Sequence, residues 1–233
     1  MQIIIGIGVL LLSYVIGSIP FGWLIVKLKT GQDIRQVESG RTGGTNAMRA
    51  AGLWAGLLTA IMDILKGAVA VWIAKALFPT THFWHVLAPI AAIIGHNYSI
   101  FVPKRDEQGR IVGLRGGAGG APAVGGAFGL WGPSIFIILP LGALVFFTIG
   151  IASITTMSVA FIAMIIFFIR TWLGLTPWID ILYGVLAEVL LLWALRPNLK
   201  KLFSGQERIV RQSLHGWIKS KRETQQANHG NAT

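Results

Sequence analysis

Residues 3–26 read IIIGIGVLLLSYVIGSIPFGWLIV and carry no charge. About 20 apolar residues cross the hydrocarbon core of a bilayer, so this stretch alone qualifies as a membrane helix. It predicts an all-α integral membrane protein. A cleaved secretory leader is not expected, because the chain opens Met1-Gln2 without a basic segment and the apolar run is too long.

The rest of the chain repeats the pattern. Further apolar stretches cover roughly 53–78, 83–102, 120–170 and 177–195, separated by polar, Gly-rich or charged breaks. With 54% hydrophobic and only 12% charged residues, the composition excludes an ordinary water-soluble domain. A net charge of +11 in a soluble chain would point to nucleic acid. Here the cations sit in loops beside apolar spans, where they report orientation and anionic headgroups, so membrane phospholipids are the expected partners and no nucleic acid is.

Of the 20 Lys and Arg residues, 17 fall within 27–52, 103–115 or after 195, which assigns those three regions to the cytoplasm. The N-terminus is then outside, the C-terminus is cytoplasmic and the number of crossings is odd. A single helix over 120–170 would be roughly 75 Å long against a core of ~30 Å. Three segments fit instead, with breaks near Gly132-Pro133 and Gly150. The total becomes about seven transmembrane helices, of which 120–131 is short and either tilted, half-buried or re-entrant. Residues 1–205 form the membrane domain, and 206–233 a basic cytoplasmic tail. In that tail Ile209, Val210, Leu214, Trp217 and Ile218 recur at helical spacing among Arg208, Arg211, Lys219, Lys221 and Arg222, as in an amphipathic helix lying on the inner leaflet. The last ten residues are polar and expected to be disordered.

Chemistry is concentrated in the loops. The first runs Asp33-Ile34-Arg35, then Ser39-Gly40-Arg41-Thr42-Gly43-Gly44-Thr45-Asn46, then Arg49. Glycines, hydroxyls, free amides and arginines together offer what a phosphate needs, although a flexible connector with topology-setting arginines has the same composition. The second loop ends Arg115-Gly116-Gly117-Ala118-Gly119-Gly120 just before an apolar segment. Successive amides at a helix start favour an anion; close packing of small residues between membrane helices is the alternative. Within the spans, Asp63 and Lys66 share a helix face and are expected to pair. His96 is expected to cap or hydrogen-bond. Glu188 is left protonated, solvated or partnered by another helix. With no cysteine and no metal-binding motif, neither a metal nor a cofactor is expected.

Taken in order, Gly17-Ser18-Ile19-Pro20-Phe21-Gly22, Asp33-Ile34-Arg35, Ser39-Gly40, Thr45-Asn46, Arg49, Asp63, Lys66-Gly67, Gly95-His96, the Gly116-Gly117 and Gly119 loop, and Asn198 through Glu207 resemble the bacterial acyl-phosphate-dependent glycerol-3-phosphate acyltransferases, the PlsY family. The resemblance covers nearly the whole chain. It implies acyl transfer from acyl phosphate to the 1-hydroxyl of glycerol 3-phosphate, giving lysophosphatidic acid at the bacterial plasma membrane without metal or cofactor. It implies that Ser39 and Arg49 lie at the reacting acyl phosphate, that Thr45 and Asn46 take part in binding, and that Arg115, Gly116, Gly117 and Gly119 hold glycerol phosphate. Asn198 and Glu207 would complete the site.

Four positions depart from the family pattern. Ala118 stands where the glycine loop usually carries a lysine, Leu195 where a histidine is usual, and Arg41 where an asparagine is usual; residues 104–113 look inserted. Losing one charge-assisted hydrogen bond to phosphate costs about 1.5–3 kcal/mol. Either Arg41 or Arg115 makes up the lost charge, or the chain is a diverged paralogue that binds phospholipid or acyl phosphate without transfer, or with another acceptor. A solute transporter would call for inverted repeats and a polar path, and neither is evident.

Overall fold

The computed structural model describes residues 1–210, 213–218 and 221. The first apolar stretch is not one continuous rod. Helix α1 (Gln2–Ser18) stops at Ile19-Pro20, and α2 (Phe21–Thr30) resumes beyond it. Pro20 has no N–H to donate and biases the residue before it away from helix, and Ile19 sits at φ −57°, ψ 116°. A 3₁₀ turn (Ile34–Gln36) and a short helix α3 (Gly44–Ala51) follow.

Helices α4 (Leu53–Leu77) and α5 (His82–Asn97) come next. The 120–170 stretch divides into α6 (Gly120–Leu130), α7 (Ile135–Ile149) and α8 (Ala152–Trp172), with interruptions at Gly132-Pro133 and at Gly150. Helix α9 (Ile179–Phe203) closes the bundle. Four helical stretches, Gln2–Thr30, Leu53–Leu77, Gly132–Ile149 and Ala152–Trp172, are long and apolar enough to span a membrane on composition alone.

The segment that looks inserted folds as a β-hairpin, which holds the two strands found among the described residues. Strand β1 (Pro103–Arg105) pairs antiparallel with β2 (Ile111–Leu114). Asp106 Oδ1 accepts from the amides of Gln108 and Arg110 to close the turn.

The core lies where α5, α6, α8 and α9 meet, around Ile93, Val124, Phe167, Tyr183 and Leu191. Backbones approach closely where side chains are absent: a Cβ on Gly67 would run into the Pro122 carbonyl, and one on Gly125 into that of Ile64. Such small-residue contacts are how helices associate where lipid removes the hydrophobic drive between them. Large apolar side chains such as Leu11, Phe136, Phe147 and Phe168 face outward, as a lipid-facing surface requires.

The tail's first residues pack onto the bundle. Val210 N donates to Gly150 O at 2.7 Å, Ile209 bridges Ile151, and Arg208 pairs with Glu38. Residues 214–218 are helical, with Leu214, Trp217 and Ile218 exposed. Arg211, Lys219 and Arg222 of the expected amphipathic helix, and the polar end of the tail, lie outside the described residues.

Candidate active site

Loop one, the glycine loop and the end of α9 converge at one end of the bundle. A cavity of about 410 Å³ opens there, and its lining includes Ser39, Arg41, Arg115, Gly116, Gly117 and Asn198 together with Asn97, Lys104, Arg196 and Lys201. Five cations face it, and no carboxylate lines it. An adjoining cavity of about 490 Å³ shares Lys104 and Arg115 with it and adds Arg35 and Arg105.

Arg41 ties the parts together. Its Nη1 donates to Gly117 O at 3.1 Å, and its Nη2 donates to Ala194 O at 2.6 Å and to Asn198 Oδ1 at 3.1 Å. Asn198 Nδ2 in turn donates to Glu207 Oε1 at 2.9 Å. Burial, with Arg115 close by, pushes the Arg41 guanidinium below its ordinary pKa, and Glu207 opposes the shift. Arg49, in the last turn of α3, is likewise pushed down by burial and steadied by Glu207.

The loop-one backbone is clamped from within. Asn46 is buried, and its Nδ2 is shared among the carbonyls of Ile34, Val37 and Arg41. Arg115 Nη2 reaches back to Ser39 O at 2.7 Å, while Ser39 Oγ accepts from Arg41 N. Asp33 caps the 3₁₀ turn, and its pairing with Arg35 holds its carboxyl below the usual range.

Behind the glycine loop lies a buried ion cluster. Lys66 Nζ has three N–H groups and meets three acceptors: Asp63 Oδ1 at 2.7 Å, His96 Nδ1 at 2.8 Å and Ile19 O at 3.1 Å. Since His96 Nδ1 accepts, the network assigns the ring proton to Nε2, the atom against which Gly117 packs. His96 O also accepts from Gly117 N at 2.9 Å. Only glycine fits at 117, because a Cβ there would collide with the imidazole. At Gly119, φ 91° supplies the left-handed cap from which α6 starts.

Of the residues singled out from the sequence, Ser39, Arg115, Gly116, Gly117 and Asn198 meet at the cavity wall, and Gly119 adjoins it. Glu207 joins through Asn198. Thr45, Asn46 and Arg49 stand on α3 outside the lining, Asn46 as the loop clamp. Leu195 is buried, and Ala118 carries no charge to the site. Glu188 Oε2 is buried without a hydrogen-bond partner among the described residues. The sequence reading did not single out Asn97, Tyr98, Lys104, Arg196 or Lys201 for the site; the last three are basic residues that report topology equally well.

An apolar helix bundle with a cation-lined cavity at one end, walled in part by the glycine loop, defines an integral membrane protein with a strongly cationic cavity. The family model described as glycerol-3-phosphate acyltransferase matches residues 7–205, and the chain belongs to that family. The glycerol-3-phosphate acyltransferase of Halalkalibacterium halodurans is 33% identical over 205 residues, covering 84% of this chain and 90% of the relative. Glycerol-3-phosphate acyltransferase 3 of Dehalococcoides mccartyi is 34% identical over 214 residues, covering 86% and 93%. The fold matches the crystal structure of PlsY (YgiH), an integral membrane glycerol 3-phosphate acyltransferase, in its glycerol 3-phosphate form: TM-score 0.75, 27% identity, 88% of this chain and 94% of that one. The lysophosphatidic acid form of the same protein gives a TM-score of 0.72 at 25% identity.

Proposed function

We propose that this chain transfers an acyl group from a long-chain acyl phosphate to the 1-hydroxyl of sn-glycerol 3-phosphate, in phospholipid synthesis at the bacterial plasma membrane. The observation that carries the reading is the cavity itself: five cations, no lining carboxylate, and Arg41 bonded to both the glycine loop and Asn198. Like charges so arranged repel one another until an anion arrives. Membership of the family and the similarity to PlsY supply the chemistry that such a site serves.

In the proposed step the acceptor's hydroxyl oxygen attacks the acyl carbonyl carbon. The bond from that carbon to the phosphate oxygen breaks, and the hydroxyl proton leaves on the departing phosphate. Lysophosphatidic acid and inorganic phosphate result, and no covalent protein intermediate is needed. Ser39 and Arg49 serve the donor. Arg115, Gly116, Gly117 and Gly119 serve the acceptor, Thr45 and Asn46 shape loop one, and Asn198 with Glu207 completes the set. Arg41 supplies the charge that Ala118 lacks. In this reading the chain crosses the membrane seven times, with its N-terminus outside and the cavity and the 206–233 tail on the cytoplasmic side, where water-soluble glycerol 3-phosphate and membrane-held acyl chains and phospholipids meet.

Purified protein in lipid, given palmitoyl phosphate and glycerol 3-phosphate, is expected to release phosphate and form lysophosphatidic acid at a rate lost on Arg49→Ala. Absence of product from folded protein overturns catalysis with this acceptor and leaves a diverged binder or a different acceptor.

A further inference from the structure

The second cavity, of about 490 Å³, differs in kind from the first. Arg35, Lys104, Arg105 and Arg115 line it without a carboxylate, and the apolar run Phe101-Val102-Pro103 forms another wall. Arg35 is already paired with Asp33 and braces that wall through Pro103 O. Lys104, Arg105 and Arg115 have no carboxylate partner among the described residues. Arg105 and Arg115 each engage one backbone carbonyl, those of Gly109 and Ser39.

Beside these cations the hairpin exposes apolar side chains. Ile111 and Val112 are 59% and 53% exposed, Phe101 is 53% exposed, and Ile100 and Leu114 also lie open. Strand pairing sets Leu114 beside Pro103 and Ile111 beside Arg105, so apolar and cationic groups share the hairpin. Exposed apolar groups gathered beside charge mark an interaction surface, and a two-stranded hairpin with no covered face is marginal in water. The segment leading into the hairpin is fixed to the end of α1: Tyr14 Oη donates to Tyr98 O, and Ser99 Oγ donates to Ser18 O. Ile100 and Phe101 therefore continue the outward-facing apolar surface of α1, where Leu11, Leu12 and Val15 are exposed.

We infer that this cavity holds the phosphate head of an anionic phospholipid from the surrounding leaflet, with Phe101 and β2 lying against the lipid's glycerol backbone and upper acyl chains. A soluble anion would meet the cations but leave Phe101, Ile111 and Val112 in water. A lipid covers both at once, because its charge and its apolar chains are joined in the order in which the hairpin presents their counterparts. The turn is polar, with Asp106 paired to Arg110, and stays in water. The inference rests on the bundle's being embedded in lipid and not on acyl transfer.

The chain has no cysteine, so a nitroxide on Val112→Cys reports on β2 alone. In nanodiscs this label is expected to be open to dissolved oxygen and shielded from a water-soluble nickel chelate, while the same label on Glu107→Cys, in the turn, stays open to the chelate. Native mass spectrometry of the full chain released from nanodiscs of equal phosphatidylglycerol and phosphatidylcholine is expected to show phosphatidylglycerol retained. Lys104→Gln and Arg105→Gln should each weaken that retention about fivefold, the worth of one basic side chain at an anionic surface. Lys104→Gln removes no hydrogen bond of the fold and decides the matter if Arg105→Gln fails to fold. Equal retention of the two lipids overturns the inference, as does an unchanged preference in the folded Lys104→Gln variant. Loss of the preference on adding inorganic phosphate assigns the cavity to a soluble anion instead. A label at position 112 open to the chelate overturns the inference, and spin–spin broadening there replaces the lipid with a second copy of this chain. None of these readouts uses turnover, so the inference and acyl transfer fail separately.

Discussion

Arg41 and Asn198, 157 positions apart, are joined side chain to side chain at 3.1 Å. The contact closes loop one onto the last helix, and through Glu207 onto the tail. It also delivers a guanidinium to the carbonyl of Gly117, one residue before the uncharged Ala118.

Replacing Arg41 by Asn should therefore weaken glycerol 3-phosphate. Loss of a charge-assisted hydrogen bond costs about 1.5–3 kcal/mol, or roughly ten- to a hundred-fold in affinity. Calorimetry on the folded variant checks this, and unchanged affinity would remove Arg41 from the site.

The Asp63–Lys66 pair is almost wholly enclosed, its side chains 1% and 2% exposed. Asp63→Asn leaves Lys66 uncompensated and should lower stability by roughly 3–5 kcal/mol, read as a fall in Tm in detergent. Adding Lys66→Met should restore part of it. If the double variant melts no higher than the single one, the charge argument fails.

A site ringed by cations draws its anions by field as well as by contact. The KM for glycerol 3-phosphate should rise with ionic strength between 0.05 and 0.5 M salt, where the Debye length falls from about 14 to about 4 Å. A salt-independent KM would contradict attraction of the substrate by the field of the five cations.

Asp33 has its pKa held below 3.8 by Arg35, so it contributes stability that is present above that value and lost as pH falls through the lower folded-state value. The Tm difference between wild type and Asp33→Asn should be constant near neutrality and shrink below pH 3.8. A difference that grows on acidification would contradict the sign.

Much of the architecture is legible in composition, because Gly132-Pro133 and Gly150 punctuate an apolar run too long to be one helix. The break at Pro20 is hidden by uninterrupted apolar side chains on either side of it. The hairpin is hidden for a different reason: all four β2 residues are exposed, so no buried face imposes an alternating pattern. Helix α3 spans only 8 residues and begins on glycine, which reads as loop. At the site, residue types and order point to the loops, but partnerships do not follow from them. Nothing local says that Lys66 meets His96, 30 positions away, or that Asn97 is left unpaired. Those facts exist only once α4, α5 and α6 have packed.

The docking of residues 207–210 onto Asn198, Glu38, Ile151 and Gly150 makes the start of the tail part of the folded unit. A chain ending at Phe203 would hold α1 through α9, yet Arg41 and Arg49 would lack the Glu207 charge that acts on both. The last helix alone therefore does not complete the cavity wall, because Asn198 meets its carboxylate only through residues that follow α9.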